Sequence, residues 1–188
     1  MAVRRTPEQA RDALMRAAAA QFARDGFDAV NSNQIAREAG VGVGTFYRHF
    51  HDKSALADAL MLQAWEELGA AMPGPEVDEP LEFARRATRA VIAYAVRSPD
   101  HFRVAFGSAR PSNVALSMRP LERRLRQLAE RRAVGPALDP VVAARAWWEM
   151  VSGTLVWWLE DRSRAPAEQL AELLTQLHPL AIGRTIPE

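Results

Sequence analysis

The sequence predicts an all-α protein of about nine helices in two domains, residues 1–54 and 55–188. Apolar residues recur at spacings of three and four along every long segment, and no alternating strand pattern or internal repeat interrupts them. Proline and glycine stand where these segments begin and end. A chain of 188 residues with 48% hydrophobic residues is also long and apolar enough to bury a real core.

The first helix is predicted from its N-terminal capping box. Thr6-Pro7-Glu8-Gln9 supplies a hydroxyl cap, a proline at the first helical position and a glutamine three residues after the cap. Apolar residues then recur at helical spacing as far as Phe22, and Gly26 ends the run. We interpret this segment as a supporting helix that packs against the two helices that follow it.

Residues 31–53 predict two short helices joined by a tight turn, which is the arrangement of a helix-turn-helix. Asn31 or Ser32 can cap the first of them, which we expect over about 33–39. Gly40 occupies the position where a helix commonly ends in a left-handed residue.

The second short helix has one apolar edge and one unusual outer face. Phe46 and Phe50, four residues apart, predict the buried edge, and Gly42 precedes the helix as its cap. An ordinary solvated helix would carry Glu and Lys on the opposite side, whereas this one carries small residues, an aromatic hydroxyl, an arginine and a histidine. Such groups suit phosphates and base edges, which indicates a surface that reads DNA. At about 100° per residue, Gly44, Thr45 and Arg48 point away from the buried edge, and Val43, Tyr47 and His49 lie on its flanks.

Lys53 follows the expected N-cap Asp52 and therefore lies in the first turn of the next helix, where the helix dipole repels a cation. A charge in an unfavourable position is commoner where it has an external task. We therefore predict that Lys53 contacts a phosphate beside this helix N-terminus.

The run Ile35-Ala36-x-x-Ala39-Gly40-Val41-x-x-Gly44-Thr45-Phe46-Tyr47-x-His49-Phe50-x-x-Lys53 resembles the DNA-binding domain of the TetR (tetracycline repressor) family of bacterial regulators. The resemblance covers roughly residues 10–60. It implies contacts with the DNA backbone from Thr45, Tyr47, His49 and Lys53. It implies positions near base edges for Asn33, Val43, Gly44 and Arg48, with Ser32 beside them. Gly42 departs from the family pattern, which more often has Ser or Thr there, so one hydroxyl that could contact phosphate is missing.

Beyond the helix-turn-helix, a long helix is expected from Asp52 to Met72, where Pro73-Gly74-Pro75 ends it. Five further helices are predicted between proline and glycine joints, with a bend or break at Pro120 inside the third. Their expected ranges are about 80–97, 99–107, 113–132, 139–161 and 165–178.

By the same resemblance, the second domain is a helical sensor and dimerisation domain. Its aromatic and methionine side chains suit an apolar or amphipathic small molecule, although each of them alone is also explained as core. The candidate ligand-binding residues are Trp65, Phe83, Tyr94, Phe102, Phe106, Met118 and Trp147. Apolar stripes on the last two helices fit a four-helix dimer interface or, alternatively, an intramolecular core. The candidate interface residues are Val151, Leu155, Trp158, Leu170, Leu173, Leu174 and Leu177.

Together these features predict a homodimeric repressor that binds a palindromic operator in double-stranded DNA. Two reading helices related by a two-fold axis would contact half-sites one helical turn apart, about 34–36 Å. A small-molecule effector, of unknown identity, would favour a conformer in which the long helix after Asp52 swings and the protein leaves the operator. The alternative is a helical protein–protein adaptor that uses the helix-turn-helix as a partner surface.

Other classes of function receive little support from the sequence. The net charge of +1 is too small for a nonspecific polycation. There is no cysteine, and the four histidines do not form a metal-ligand or nucleophile motif, so we expect neither an enzyme nor a metal or other cofactor. No apolar run approaches the length of a membrane span, and no signal core follows Met1, so we expect a cytoplasmic protein without a membrane partner.

Overall fold

The computed structural model describes residues 5–74, 76, 77, 79–107, 123, 126, 127 and 139–178. Within these residues the chain forms eight α-helices, one 3-10 turn and no strand, which confirms the all-α prediction. The α-helices are α1 Pro7–Asp25, α2 Ser32–Glu38, α3 Val43–His49, α4 Lys53–Ala71, α5 Pro80–Arg97, α6 Pro99–Phe106, α7 Pro140–Glu160 and α8 Ala167–Gln176, and the 3-10 turn is Arg162–Arg164.

The helix ends agree with the chemistry of the capping residues. Thr6 and Gln9 form the predicted capping box at the start of α1. At the start of α2 the cap is Asn31, the first of the two candidates, and Gln34 completes a second capping box. The predicted helix 113–132 and Pro120 lie outside the described residues, apart from 123, 126 and 127.

The chain folds into two compact units whose boundary differs from the predicted one after residue 54. The first unit contains the chain up to Glu66 and the segment that begins at Ser98, and the second contains Glu67–Arg97 and the later part of the chain. The division therefore falls inside α4, and α6 belongs to the first unit rather than to the second.

Helix α6 joins the first unit because its apolar side packs on α1 and α4. Phe102 is fully buried, and the centroid of the Phe106 ring lies 4.9 Å from that of the Trp65 ring of α4. His101 Nε2 donates to the Leu60 carbonyl oxygen across 2.8 Å. The sequence pattern shows that α6 has an apolar face, but it does not show which element covers that face.

The core of the first unit is built where α1, α2, α3 and α4 meet. Leu14 of α1, Ile35 of α2, Phe46 of α3 and Leu56 of α4 are all fully buried in it. Gly40, with a φ of 64°, turns the chain between α2 and α3 in the left-handed region, as its position predicts. These contacts fix the direction in which α3 presents its other side.

The core of the second unit forms where α5 packs on α7 and α8. Val151 and Leu155 of α7 and Leu174 of α8 have at most 1% exposure. Burial raises the pKa of Tyr94 on α5, and it lowers the pKa of His178 to about 3, so the imidazole is neutral at physiological pH.

Among the residues that the structure describes, no helix combines the length and the apolar character that a membrane span requires.

Candidate DNA-binding surface

The predicted reading surface lies on the exposed side of α3. Phe46 is fully buried and Phe50 is 5% exposed, whereas Tyr47 is 56% and Val43 42% exposed. Arg48, like Gly44, is exposed, and Thr45 and His49 are half-buried at the edges of the surface. Four of the six predicted α3 residues are therefore exposed and two are half-buried, with the two phenylalanines turned inward.

Local contacts orient two of these side chains. The Tyr47 ring meets the buried Phe46 ring edge to face at 5.3 Å, so its apolar part is supported while its hydroxyl remains in solvent. Arg48 Nη2 donates to Thr45 Oγ1 across 3.4 Å, one turn back along the helix. The guanidinium remains exposed and has donors left for an external acceptor.

The small size of Gly44 is not needed by the packing of the described residues. A Cβ built at this position would meet none of their atoms within 4 Å. Glycine inside a helix is less favourable than alanine by about 1 kcal/mol. The packing of the described residues therefore does not explain why this position carries glycine.

Helix α2 is held in place by Gln21, a buried polar residue that sequence reasoning missed. Gln21 Nε2 donates to the Gln34 carbonyl oxygen across 3.2 Å and to Glu38 Oε2 across 2.6 Å. The available signal was its position next to Phe22 on the apolar side of α1. The predicted contact residues of α2 lie at its start, where Ser32 is half-buried and Asn33 exposed.

Lys53 is engaged by the protein itself. Its Nζ donates to the carbonyl oxygens of Phe27 at 2.8 Å, Asp28 at 3.3 Å and Val30 at 2.9 Å, and it lies 4.4 Å from the centroid of the Phe27 ring. An ammonium group has three N–H donors, and these carbonyls use all of them. The unfavourable position of Lys53 in the first turn of α4 is thus explained by a contact that ties α4 to the loop between α1 and α2.

Arg5 makes a comparable internal contact ahead of α1. Its guanidinium donates to the carbonyl oxygen of Ala39, the residue that ends α2, and lies beside Gly40. No local pattern in the chain predicted this contact. Arg5 therefore supports the turn of the helix-turn-helix.

The candidate ligand-binding residues are divided between the two units. Trp65, Phe102 and Phe106 lie in the first unit, where the Phe102 and Phe106 rings are 4.8 Å apart. In the second unit Phe83, Tyr94 and Trp147 are buried. Met118 lies outside the described residues.

The candidate interface residues separate into buried and exposed sets. Five of them are at most 5% exposed within this single chain, so they have almost no surface to offer a second copy, and these are Val151, Leu155, Trp158, Leu170 and Leu174. Leu173 and Leu177 are 51% and 42% exposed. Trp157, also on α7, is 52% exposed. On α7 the three predicted interface residues thus lie on the side that is buried within this chain.

Comparison with known proteins agrees with this geometry. Residues 14–60 match the family model described as bacterial regulatory proteins, tetR family. This match places residues 14–60 in the TetR family. A stretch of 35 residues is 51% identical to an HTH-type transcriptional regulator of Staphylococcus aureus strain USA300, and it spans 19% of this chain and 19% of that relative.

Solved structures of TetR-family proteins extend the similarity over the whole fold. PfmR, a TetR-family transcriptional regulator from Thermus thermophilus, is 25% identical with a TM-score of 0.70, covering 99% of this chain and 100% of that one. A tetR-family regulatory protein from Rhodococcus RHA1 has a TM-score of 0.75 at 20% identity, with 93% and 97% covered. The fatty acid degradation regulator FadR from Bacillus halodurans also has a TM-score of 0.75, at 18% identity, with 98% and 100% covered.

Lys53 and Arg48 provide a test of which cation supports the TetR-family fold. Replacing Lys53 with Met removes three hydrogen bonds from a charged donor, and we expect the free energy of unfolding in urea to fall by about 1–3 kcal/mol. Arg48→Met removes an exposed side chain and should change the free energy of unfolding by no more than about 0.5 kcal/mol. Equal effects of the two substitutions would show that the Lys53 contacts do not stabilise the protein.

Proposed function

We propose that this TetR-family protein is a DNA-binding transcriptional regulator that acts as a homodimer on a palindromic operator. The observation that carries the proposal is the orientation of α3, whose buried Phe46 leaves Tyr47 and Arg48 on the open side. A short helix with hydroxyl, guanidinium and imidazole groups on its accessible face suits the major groove of DNA.

The chemistry of each exposed group suggests its part in the contact. Arg48 has the paired donors that recognise the edge of guanine. The hydroxyl groups of Thr45 and Tyr47 and the imidazole of His49 suit phosphate oxygens, which fix the position of the helix without reading sequence. We propose that Val43, Gly44 and Asn33 come close to bases; Ser32 lies beside Asn33 at the start of α2.

The proposed dimer interface is the exposed apolar strip of α7, together with exposed leucines of α8. Val142, Ala146, Gly153 and Trp157 are exposed at intervals that keep them on one side of α7, and Glu149, paired with Arg145, is exposed on the same side. A Cβ at Gly153 would meet no atom of the described residues within 4 Å, so glycine here leaves room for a closely packed second helix. Leu173 and Leu177 extend the proposed surface.

The proposed outcome is repression that a small apolar or amphipathic molecule relieves. Helix α4 begins in the first unit, where Lys53 ties it to the loop before α2, and it ends in the second unit. A ligand that favours a tilted α4 would thereby change the separation of the two reading helices and lower operator affinity.

Binding to the DNA that flanks the protein's own coding region tests the DNA-binding proposal. We expect the wild type to retard such a fragment in a mobility-shift assay, and Tyr47→Ala and Arg48→Ala each to weaken binding by about 1–3 kcal/mol. Arg86→Ala, which removes an exposed arginine of α5 in the second unit, is the matched control and should bind as the wild type does. If wild type and variants are all inert on every flanking fragment, the adaptor function is favoured instead.

The oligomeric state in solution tests the proposed interface. The double substitution Trp157→Glu and Leu173→Glu places charges on the exposed strip, and we expect light scattering after gel filtration to show a monomer where the wild type is a dimer. Val96→Glu alters another exposed apolar residue of the second unit, on α5, and should remain dimeric. A dimer that survives the double substitution would move the interface elsewhere.

A further inference from the structure

Two polar side-chain atoms in the core of the second unit have no hydrogen-bond partner among the residues that the structure describes. Thr88 on α5 is fully buried, and within this part of the chain its Oγ1 neither donates nor accepts a hydrogen bond. Trp147 on α7 is 4% exposed, and its indole Nε1 likewise has no acceptor there. Leaving a buried donor unpaired is destabilising, because the group has lost its bond to water without replacing it.

Equivalent groups in the same unit do find partners. Thr175 Oγ1 donates to the Ala171 carbonyl oxygen across 2.7 Å, one turn back along α8. Trp158, on the same helix as Trp147, donates from Nε1 to the Ala165 carbonyl oxygen across 2.9 Å. The described part of the fold can therefore satisfy a buried threonine and a buried tryptophan, and it leaves one of each unsatisfied.

The unpaired atoms belong to helices that pack on each other, since α5 contacts α7 within the second unit. Their surroundings are apolar and aromatic, and the ring of Trp147 lies 4.6 Å from that of His178. Thr88 precedes Val91 and Ile92 on the buried side of α5. An apolar region with a small number of polar groups is the usual composition of a small-molecule site.

We infer that Thr88 and Trp147 are the hydrogen-bonding residues of an effector site, and that the effector is an uncharged molecule with a carbonyl-type acceptor on an apolar body. The indole N–H can only donate, so the ligand must supply an acceptor. The threonine hydroxyl can donate to a ligand acceptor or accept from a ligand donor. This inference rests on the proposed sensor function and specifies the ligand class.

The charged groups among the described residues of the second unit disfavour a carboxylate as the bound group. No Asp, Glu, Lys or Arg is buried among the described residues of the second unit. Arg85 and Arg86 lie at the surface, where their guanidinium nitrogens are 3.7 and 2.7 Å from the carboxylate oxygens of Glu82. An anion beside Trp147 would lose its hydration without gaining a counter-charge from these residues, whereas a ketone, ester or amide needs only the hydrogen bonds that this core leaves free.

Two matched pairs of substitutions test the unpaired groups without any ligand. Trp158→Phe and Thr175→Val each remove a formed hydrogen bond. We expect this loss to lower the melting temperature by roughly 2–4 °C, in addition to any fall caused by lost packing. Trp147→Phe and Thr88→Val remove the same kinds of polar atom at positions where the described residues form no hydrogen bond. We therefore expect Trp147→Phe to melt at a higher temperature than Trp158→Phe, and Thr88→Val at a higher temperature than Thr175→Val. Equal melting temperatures within both pairs would show that Thr88 and Trp147 are bonded in solution and would overturn the inference.

A second experiment tests the ligand class with probes of similar length. Methyl octanoate carries a neutral acceptor, octanoate carries a charge and nonane carries no acceptor. We expect methyl octanoate to raise the melting temperature of the wild type most, and its affinity to fall on the order of tenfold in Trp147→Phe and in Thr88→Val, but not in Trp158→Phe. No shift with methyl octanoate, an equal shift with either other probe, or full retention of affinity in both variants would contradict the inference.

The operator assay separates this inference from the proposed function. If methyl octanoate binds with the expected dependence on Trp147 and Thr88 but leaves operator affinity unchanged, the ligand site stands and the induction mechanism fails. If the protein does not bind DNA at all, the melting experiments still decide the ligand site, because they do not involve DNA.

Discussion

The first unit and its exposed helix face both depend on the burial of Phe46 between α1, α2 and α4. A helix turns about 100° per residue, so once Phe46 and Phe50 are fixed in the core, Tyr47 and Arg48 must lie toward solvent. Removing a buried phenylalanine side chain costs about 3–5 kcal/mol, which is a large part of the stability of a small domain. The same contact that holds the first unit together therefore determines which side chains are available for recognition.

Much of the structure of the first unit could be predicted from the sequence, because local signals determine where its helices begin and end. Capping residues, helical spacing and Gly40 were sufficient to predict α1, α2 and α3 and the inward direction of Phe46 and Phe50, although contact between the opposite side of α3 and DNA remains a prediction. Three features were not accessible in this way, since each depends on which parts of the chain meet. Gln21 reaches the far end of α2, Lys53 reaches carbonyl groups more than 20 residues earlier, and α6 packs on the first unit. A charged residue in the first turn of a helix signalled that Lys53 was unusual, but not whether its partner was inside or outside the protein.

In the second unit, too, the sequence does not show which parts of the chain meet. Helix α7 is apolar around most of its circumference, and periodicity alone cannot tell which side faces the core and which faces a partner. The structure buries Val151, Leu155 and Trp158 and exposes Trp157, so the proposed interface lies on a different side of α7 from the three residues that the sequence suggested. Hydrogen bonding also separates apparently equivalent buried residues, because Trp158 has a hydrogen-bond acceptor and Trp147 has none among the described residues. That difference, and not aromatic content, distinguishes a candidate ligand group from ordinary core.

Contact between the open side of α3 and DNA is tested most directly by amide hydrogen exchange with and without a retarded flanking fragment. Backbone amides slow their exchange where a ligand covers or stabilises the segment that carries them. We expect slower exchange across Val43–His49 and at the start of α2 when DNA is bound. Bound DNA that leaves exchange in α3 unchanged while protecting another surface would contradict the proposed contact.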